Sequence, residues 1–306
     1  MLRHNPAWAA TRPARVGMLT VAAAKQFPLE PFYRTLGKAG WVRGDEVLFE
    51  FRDSAGDPRA LAAPAAELVG LKVDVLFAIG PPAVRAAFAA TQDIPIVAHD
   101  FETDPVATGY AQNLSRPGRN LTGLFLDTPE LSGKWVELLK AVVSNLARAV
   151  VLFDATSGPV PLQAVQSVAP SLGVELQVLQ IKNPVEIDRA PSFFRRPQAM
   201  IVLPSPMTYV ESKRLAQIAT KSRLPATSMF PPFAAAGGLI AYGPDIPASL
   251  ERCAALVAKI LAGAKPGDLP VERPIKFDFI LNLKAARELQ LTVPESIVLR
   301  ADKVLQ

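Results

Sequence analysis

The sequence predicts an α/β chain of two doubly wound parallel-sheet lobes. Short runs of β-branched and aliphatic residues alternate with helical segments from end to end. The alternation is strict, which calls for parallel sheets with helices on both faces and right-handed crossovers. The 306 residues exceed one ordinary core of this kind but suit two.

The first series opens with Arg15–Val21, a buried strand by its apolar run. Leu29–Ala39 follows as a helix stopped by Gly40, then Val47–Arg52 as a strand. Pro58–Leu71 reads as a helix with Pro64 in its first turns. Val75–Ile79 is a strand, Pro82–Ala90 a helix, and Ile94–Ala98 a strand with Pro95 at its start.

A second series begins with an extended Asn120–Leu126 and a helix over Ser132–Val143. Ala149–Phe153 is a strand, Pro161–Leu172 a helix, Val174–Val178 a strand, and Glu186–Phe194 a helix. Met200–Leu203 is a strand. Thr208–Ser222 is a helix whose apolar face carries Leu215, Ile218 and Ala219. Leu239–Ala241 is extended, and Ser249–Leu261 is a helix ended by Gly263. Of 29 prolines, Pro28, Pro82, Pro129, Pro159, Pro206 and Pro247 fall between a strand and the next helix. In a first helical turn the missing N–H costs nothing.

Composition narrows the function. Half the chain is hydrophobic and the net charge is +5. The densest basic clusters, Arg195-Arg196 and Lys213-Arg214, are pairs read as solvated faces, so no nucleic-acid stripe is expected. One cysteine, Cys253, excludes an internal disulfide and fits the core of its helix. No apolar run is long enough to span a membrane. The stretch from Met1 to Arg15 lacks the apolar segment of a secretory leader, although Ala7-Trp8-Ala9 has the small-x-small pattern that precedes a cleavage site.

In open α/β sheets ligands bind beyond the carboxyl ends of the strands. In the first series this selects Thr20 and Ala22, Gly80-Pro81-Pro82, and His99, Asp100 and Asp104. In the second it selects Thr156-Ser157-Gly158, Ser205 with Thr208 and Tyr209, and Phe230 and Phe233, followed by Tyr242 and Asp245. Hydroxyls and helix N-termini suit an anionic head group, and aromatic rings suit an apolar body. Ser157 with Gly158, and Ser205 with Thr208, are the expected anchors for a carboxylate. Asp104 and Asp245 are the expected anchors for an ammonium group, though both also fit turns or caps.

Catalysis is not expected. There are two histidines, His4 and His99. No nucleophile elbow, phosphate loop, His-Glu-x-x-His or dinucleotide fingerprint occurs. His99 with Asp100 and Asp104 could be drawn as an acid-base or metal cluster, but one histidine without a second anchoring ligand is weak for zinc. No cofactor and no metal are expected.

Between Arg15 and Leu305 the chain resembles ABC transporter substrate-binding proteins of the tryptophan/tyrosine-uptake type. The resemblance is carried by Gly40-Trp41-Val42-Arg43-Gly44, Ile94-Pro95-Ile96-Val97 and Ser115-Arg116-Pro117-Gly118-Arg119-Asn120-Leu121-Thr122-Gly123. It continues in Glu130-Leu131-Ser132-Gly133-Lys134, Gly237-Gly238-Leu239-Ile240-Ala241-Tyr242-Gly243-Pro244-Asp245 and Gly263-Ala264-Lys265-Pro266-Gly267-Asp268. It implies a type I periplasmic-binding-protein fold with a three-segment hinge, near Arg119–Thr122, Ala241–Asp245 and Pro270–Lys276. After a terminal extension over 1–14, lobe one would be 15–120 plus 244–272, and lobe two 121–243 plus 273–306.

The resemblance further implies a periplasmic or otherwise extracytoplasmic monomer that captures a small amphipathic solute in the interlobe cleft. That solute would be an aromatic or related amino acid, or an aromatic carboxylate, handed to the membrane permease of an ABC importer. Two departures bear on the ligand. Members often carry Gly-Thr-Pro-Ala where this chain has Gly80-Pro81-Pro82-Ala83, which removes a hydroxyl and an N–H. They also tend to carry an apolar or small pair in place of His99-Asp100. The alternatives are a small-molecule-sensing effector domain, for which 1–14 is too short to supply a helix-turn-helix, and an α/β enzyme acting on a small metabolite.

Overall fold

The computed structural model describes residues 12–126 and 128–306. His4 and the Ala7-Trp8-Ala9 pattern lie outside the described residues, as does most of the expected extension over 1–14. The chain forms two compact units. The first runs to Asp100 and adds Asp104–Phe125 and Ile246–Arg273. The second takes Phe101–Thr103, Leu126–Asp245 and Pro274–Gln306.

The first unit is built on strands β1 (Ala14–Thr20), β2 (Val47–Asp53), β3 (Val75–Ile79), β4 (Ile96–Asp100) and β5 (Leu121–Phe125), with helices α1 (Glu30–Lys38), α2 (Ala62–Gly70) and α3 (Pro81–Ala90). The strands form one parallel sheet in the order β2-β1-β3-β4-β5. The apolar runs of β3 and β5 are buried along their whole length, as strands covered on both faces must be. Leu68, Ala65, Val84 and Ala87 of α2 and α3 pack with Leu19, Leu76 and Ile96 on one face. α1 instead stacks Phe32 on Phe77 at 4.6 Å, and buries alongside a late helix of the chain.

The second unit carries α4 (Thr128–Val142), β6 (Arg148–Asp154), α5 (Val160–Val168), β7 (Glu175–Ile181), α6 (Pro184–Arg189), β8 (Ala199–Val202), α7 (Pro206–Val210), α8 (Ser212–Lys221), β9 (Ala226–Ser228), α9 (Pro231–Ala235) and β10 (Ile240–Pro244). The chain returns to the first unit for α10 (Ile246–Leu261), the helix beside α1. Cys253 on α10 is fully buried, and its thiol pKa is pushed up by that burial. The second unit is completed by β11 (Phe277–Asn282), α11 (Leu283–Glu288), α12 (Glu295–Val298) and β12 (Lys303–Leu305). Its sheet order is β12-β11-β10-β9-β8-β6-β7, and only the β10–β11 pairing is antiparallel.

Three readings of the sequence change here. Leu121–Phe125, taken as the opening of the second lobe, pairs with β4 and closes the first sheet. Gly123 allows this: a Cβ there would lie 2.2 Å from the carbonyl oxygen of Ala98, and φ is 149°. The Thr208–Ser222 helix is broken at Glu211. Ser212 Oγ lies 2.9 Å from the Thr208 carbonyl and 2.7 Å from that of Tyr209, the back-bonding that bends helices. The strands β9, β11 and β12 had no counterpart in the sequence reading. β9 and β12 are three residues each, too short for any period to register.

Candidate functional site

Strand order fixes which loops are neighbours. In the first unit, β1, β3 and β4 are adjacent, so Thr20–Ala22, Gly80–Pro82 and His99–Asp100 emerge side by side at the carboxyl edge. Gly80 holds φ 84°, ψ 157°, a conformation only glycine adopts without strain. Its N–H donates to the His99 carbonyl at 2.9 Å, tying the two loops. Pro81 and Pro82 then take the first two positions of α3. An ordinary helix start offers four free N–H groups. Here two positions have no hydrogen to give, and Val84 N donates to Gly80 O at 3.0 Å. The start of α3 is thereby an apolar surface with few donors.

His99 and Asp100 are the last residues of β4, 7% and 0% exposed. Burial pushes the His99 pKa down to about 4, so the imidazole is neutral at ordinary pH. The Thr20 hydroxyl turns back to the Ala22 carbonyl. Asp104 is exposed, and its carboxylate accepts from Val106 N at 2.9 Å and Ala107 N at 3.0 Å. Its charge is spent on its own turn, the role its residue type also fits.

In the second unit β6, β8 and β9 are adjacent, so Ser157, Ser205–Tyr209 and Phe230 share the carboxyl edge. Asp154 Oδ1 accepts from Thr156 N at 2.9 Å and Thr156 Oγ1 at 2.7 Å, shaping the loop ahead of α5. Ser157 is 2% exposed, and its hydroxyl has no hydrogen-bond partner among the described residues. Pro159 caps α5 without a side-chain acceptor. Pro161 at the second position has no N–H, so the uncapped donors of that first turn are those of Val160 and Leu162, a few residues along the chain from a buried, unused hydroxyl. Burying a polar group without a partner costs about 1–3 kcal/mol, and a helix N-terminus favours an anion.

Tyr209 meets Phe230 edge to face, with centroids 5.0 Å apart and planes at 82°. Tyr209 is half-buried, and its phenol pKa is raised by desolvation. Its ring is thus held against a second ring, at the edge where an apolar ligand body would be received.

Other expected contacts serve the fold. Ser205 caps α7, accepting from Thr208 N at 3.0 Å, and Thr208 Oγ1 donates back to the Leu203 carbonyl at 2.9 Å. Both are fully buried and occupied by the turn. Phe233 is 0% exposed in the core with Leu215, Ile218 and Leu224. Its ring fills the space where a Gly238 side chain would be, with 2.1 Å to an added Cβ. It is a core residue, one helical turn away from the loop that Phe230 occupies. Tyr242 stacks on Phe277 at 6.1 Å and packs with the Leu138 and Val142 side of α4, so it belongs to the sheet face. Asp245 forms an ion pair with Lys276, and its N–H donates to the Lys276 carbonyl.

The sequence reading passed over β9 and its hydroxyls. Thr227 and Ser228 are buried, and Thr227 Oγ1 has no partner among the described residues. Glu102 and Thr103, directly after β4, are also buried. The run Ala226-Thr227-Ser228 after Pro225 carried the signal for the first pair: small and hydroxyl residues just ahead of an aromatic.

Comparison with known proteins agrees with this architecture. A solved structure from Vibrio cholerae, described as a conserved domain protein, superposes with a TM-score of 0.88 at 24% identity, covering 96% of this chain and 100% of that one. An ABC domain from Streptococcus pneumoniae in complex with L-Trp gives 0.86 at 22% identity, again over 96% and 100%. The tyrosine-binding protein of Clostridioides difficile is 24% identical over 267 residues, spanning 85% of this chain and 75% of the relative. The family described as ABC transporter substrate binding protein matches residues 29–305. With that match over most of its length and a fold of two parallel-dominated α/β units, the chain belongs to the ABC transporter substrate-binding protein family.

Proposed function

We propose that this protein captures an aromatic amino acid outside the cytoplasm and delivers it unchanged to the permease of an ABC importer. Membership of the family implies a small-molecule ligand and a permease partner. The relatives that bind tyrosine and carry L-Trp point to the aromatic class. The observation that carries the reading to this chain is the Tyr209–Phe230 pair, on the connections after β8 and β9, at the same sheet edge as the Ser157 loop after β6. The rings would take the aromatic body, while Ser157 and the uncapped start of α5 would take the carboxylate. Pro81 and Pro82 remove the first two N–H groups of α3, whereas α5 keeps that of Val160 ahead of Pro161, which favours the second unit for the head group.

The protein is further proposed to act as a monomer and to perform no chemistry. No helix among the described residues is long and apolar enough to cross a membrane. Calorimetric titration of L-tyrosine and L-tryptophan into Tyr209→Ala and Phe230→Ala tests the aromatic assignment. Loss of roughly 1–3 kcal/mol of binding free energy is expected for a ring that covers the ligand. Unchanged affinity in both folded variants would remove this pair from the site.

A further inference from the structure

The connection from β7 to β8 presents apolar side chains outward among unpaired cations. Val185 and Phe193 are 62% and 60% exposed, two of the few large hydrophobics on the described surface. Val185 and Arg189 lie one turn apart on the outer face of α6, while Ile187 and Ala190 point into the core. Phe193 ends the 3-10 turn that continues α6. Lys182, Arg189, Arg195 and Arg196 are all exposed, and none of the four side chains forms an ion pair among the described residues.

The acids of the same segment are occupied. Glu186 accepts from Lys182 N at 2.8 Å and Asn183 Nδ2 at 3.1 Å, and Asp188 pairs with Arg214. The outward pose is also fixed. The Gln177 side chain on edge strand β7 donates to the Phe193 carbonyl at 2.6 Å and accepts from Arg195 N at 2.9 Å. A clamp on both sides of Phe194 leaves that ring half-buried and Phe193 standing free.

We infer that the segment 182–196 is a contact surface for an anionic lipid bilayer. Exposed rings and aliphatics ringed by basic residues are what interfacial binding requires: apolar groups enter the acyl boundary while the cations meet lipid phosphates. Charge complementarity selects the lipid surface, since the patch holds four cations against two acids already engaged within the fold. The surface is separate from the proposed ligand site, because Ser157, Tyr209 and Phe230 are on other connections.

The test is co-sedimentation of the full chain with vesicles of phosphatidylcholine alone and of phosphatidylcholine mixed equally with phosphatidylglycerol. Binding is expected to the anionic vesicles alone and to weaken with salt. Each cation removed weakens partition about fivefold, so Arg195→Ser with Arg196→Ser should cost roughly 25-fold. Phe193→Ser should weaken binding while leaving the charge unchanged. Lys38→Ser with Lys265→Ser, an exposed pair in the first unit, should change little. Folding of each variant is checked by its thermal melt and its titration with tyrosine, neither of which should move.

Three results would overturn the inference. One is absence of binding to anionic vesicles. Another is an equal loss from the Lys38 and Lys265 pair, which would reduce the effect to net charge. The third is a single-stranded DNA oligonucleotide that binds with the same dependence on Arg195, Arg196 and Phe193, which would assign the patch to nucleic acid.

Discussion

Replacing Ser157 by alanine separates a ligand anchor from a structural hydroxyl. The Ser157 hydroxyl is buried and has no hydrogen-bond partner among the described residues, and it accompanies an α5 start with no side-chain cap. Such a group costs about 1–3 kcal/mol, so Ser157→Ala is expected to leave stability unchanged or raise it. A hydrogen bond to a charged carboxylate is worth about 1.5–3 kcal/mol, so the same change should raise Kd for the amino acid roughly 10- to 150-fold. Chemical denaturation without ligand reads the first quantity and calorimetric titration the second. A ligand series completes the cycle: in the parent protein tyrosine should bind more tightly than its amide, and in Ser157→Ala that preference should shrink. An unchanged Kd, or a loss of more than about 1 kcal/mol in the variant without ligand, would refute the anchor role, since a hydroxyl that stabilises the fold is already in use.

Other outcomes follow from the packing and from burial. Phe233→Ala should destabilise the protein by about 3–5 kcal/mol, because its ring fills the core against Gly238; the fraction that remains folded should bind tyrosine with the parent affinity, and a specific loss of affinity would return Phe233 to the site. His99 makes stability depend on pH. With a folded pKa near 4 and an unfolded value of about 6.5, the unfolded chain binds a proton first as pH falls. Stability is full above pH ~6.5 and declines towards pH ~4, by up to about 3 kcal/mol. His99→Gln should flatten that part of a denaturation-against-pH profile, and an unchanged slope would mean another group carries it. Gly80→Ala should cost about 1–3 kcal/mol at φ 84°, ψ 157°, read from denaturation midpoints.

The β-α alternation was legible in the sequence because most strands are continuous apolar runs buried on both faces, as in β3 and β6. The short strands were not. β9 is three small or hydroxyl residues whose extended state comes from pairing with β8 and β10, not from local preference. The sheet to which Leu121–Phe125 belongs is likewise decided by pairing with β4, which no local pattern records.

Within the candidate site, position along the chain located the loops at the carboxyl edges of the two sheets but not which side chains they leave available. Ser205-Pro206-Met207-Thr208 already had the form of a helix cap, and its hydroxyls are consumed as one. Phe230 and Phe233 are both buried, at 5% and 0% exposure, and tertiary packing alone decides that one meets Tyr209 while the other packs with Leu215 and Ile218. The proline pair after Gly80 was the clearest signal: the missing N–H groups could be counted from sequence, and the structure puts both prolines at the helix start.

Direct titration of the purified chain with L-tyrosine and L-tryptophan, followed by mass spectrometry of the recovered ligand, decides whether the protein captures an aromatic amino acid without converting it. The protein should show saturable one-site binding of an aromatic amino acid. Folding stability should rise by about 2.7 kcal/mol at a hundredfold excess over Kd, and the ligand should be recovered chemically unchanged. Failure of every aromatic amino acid to bind, or recovery of a converted product, would contradict this capture role.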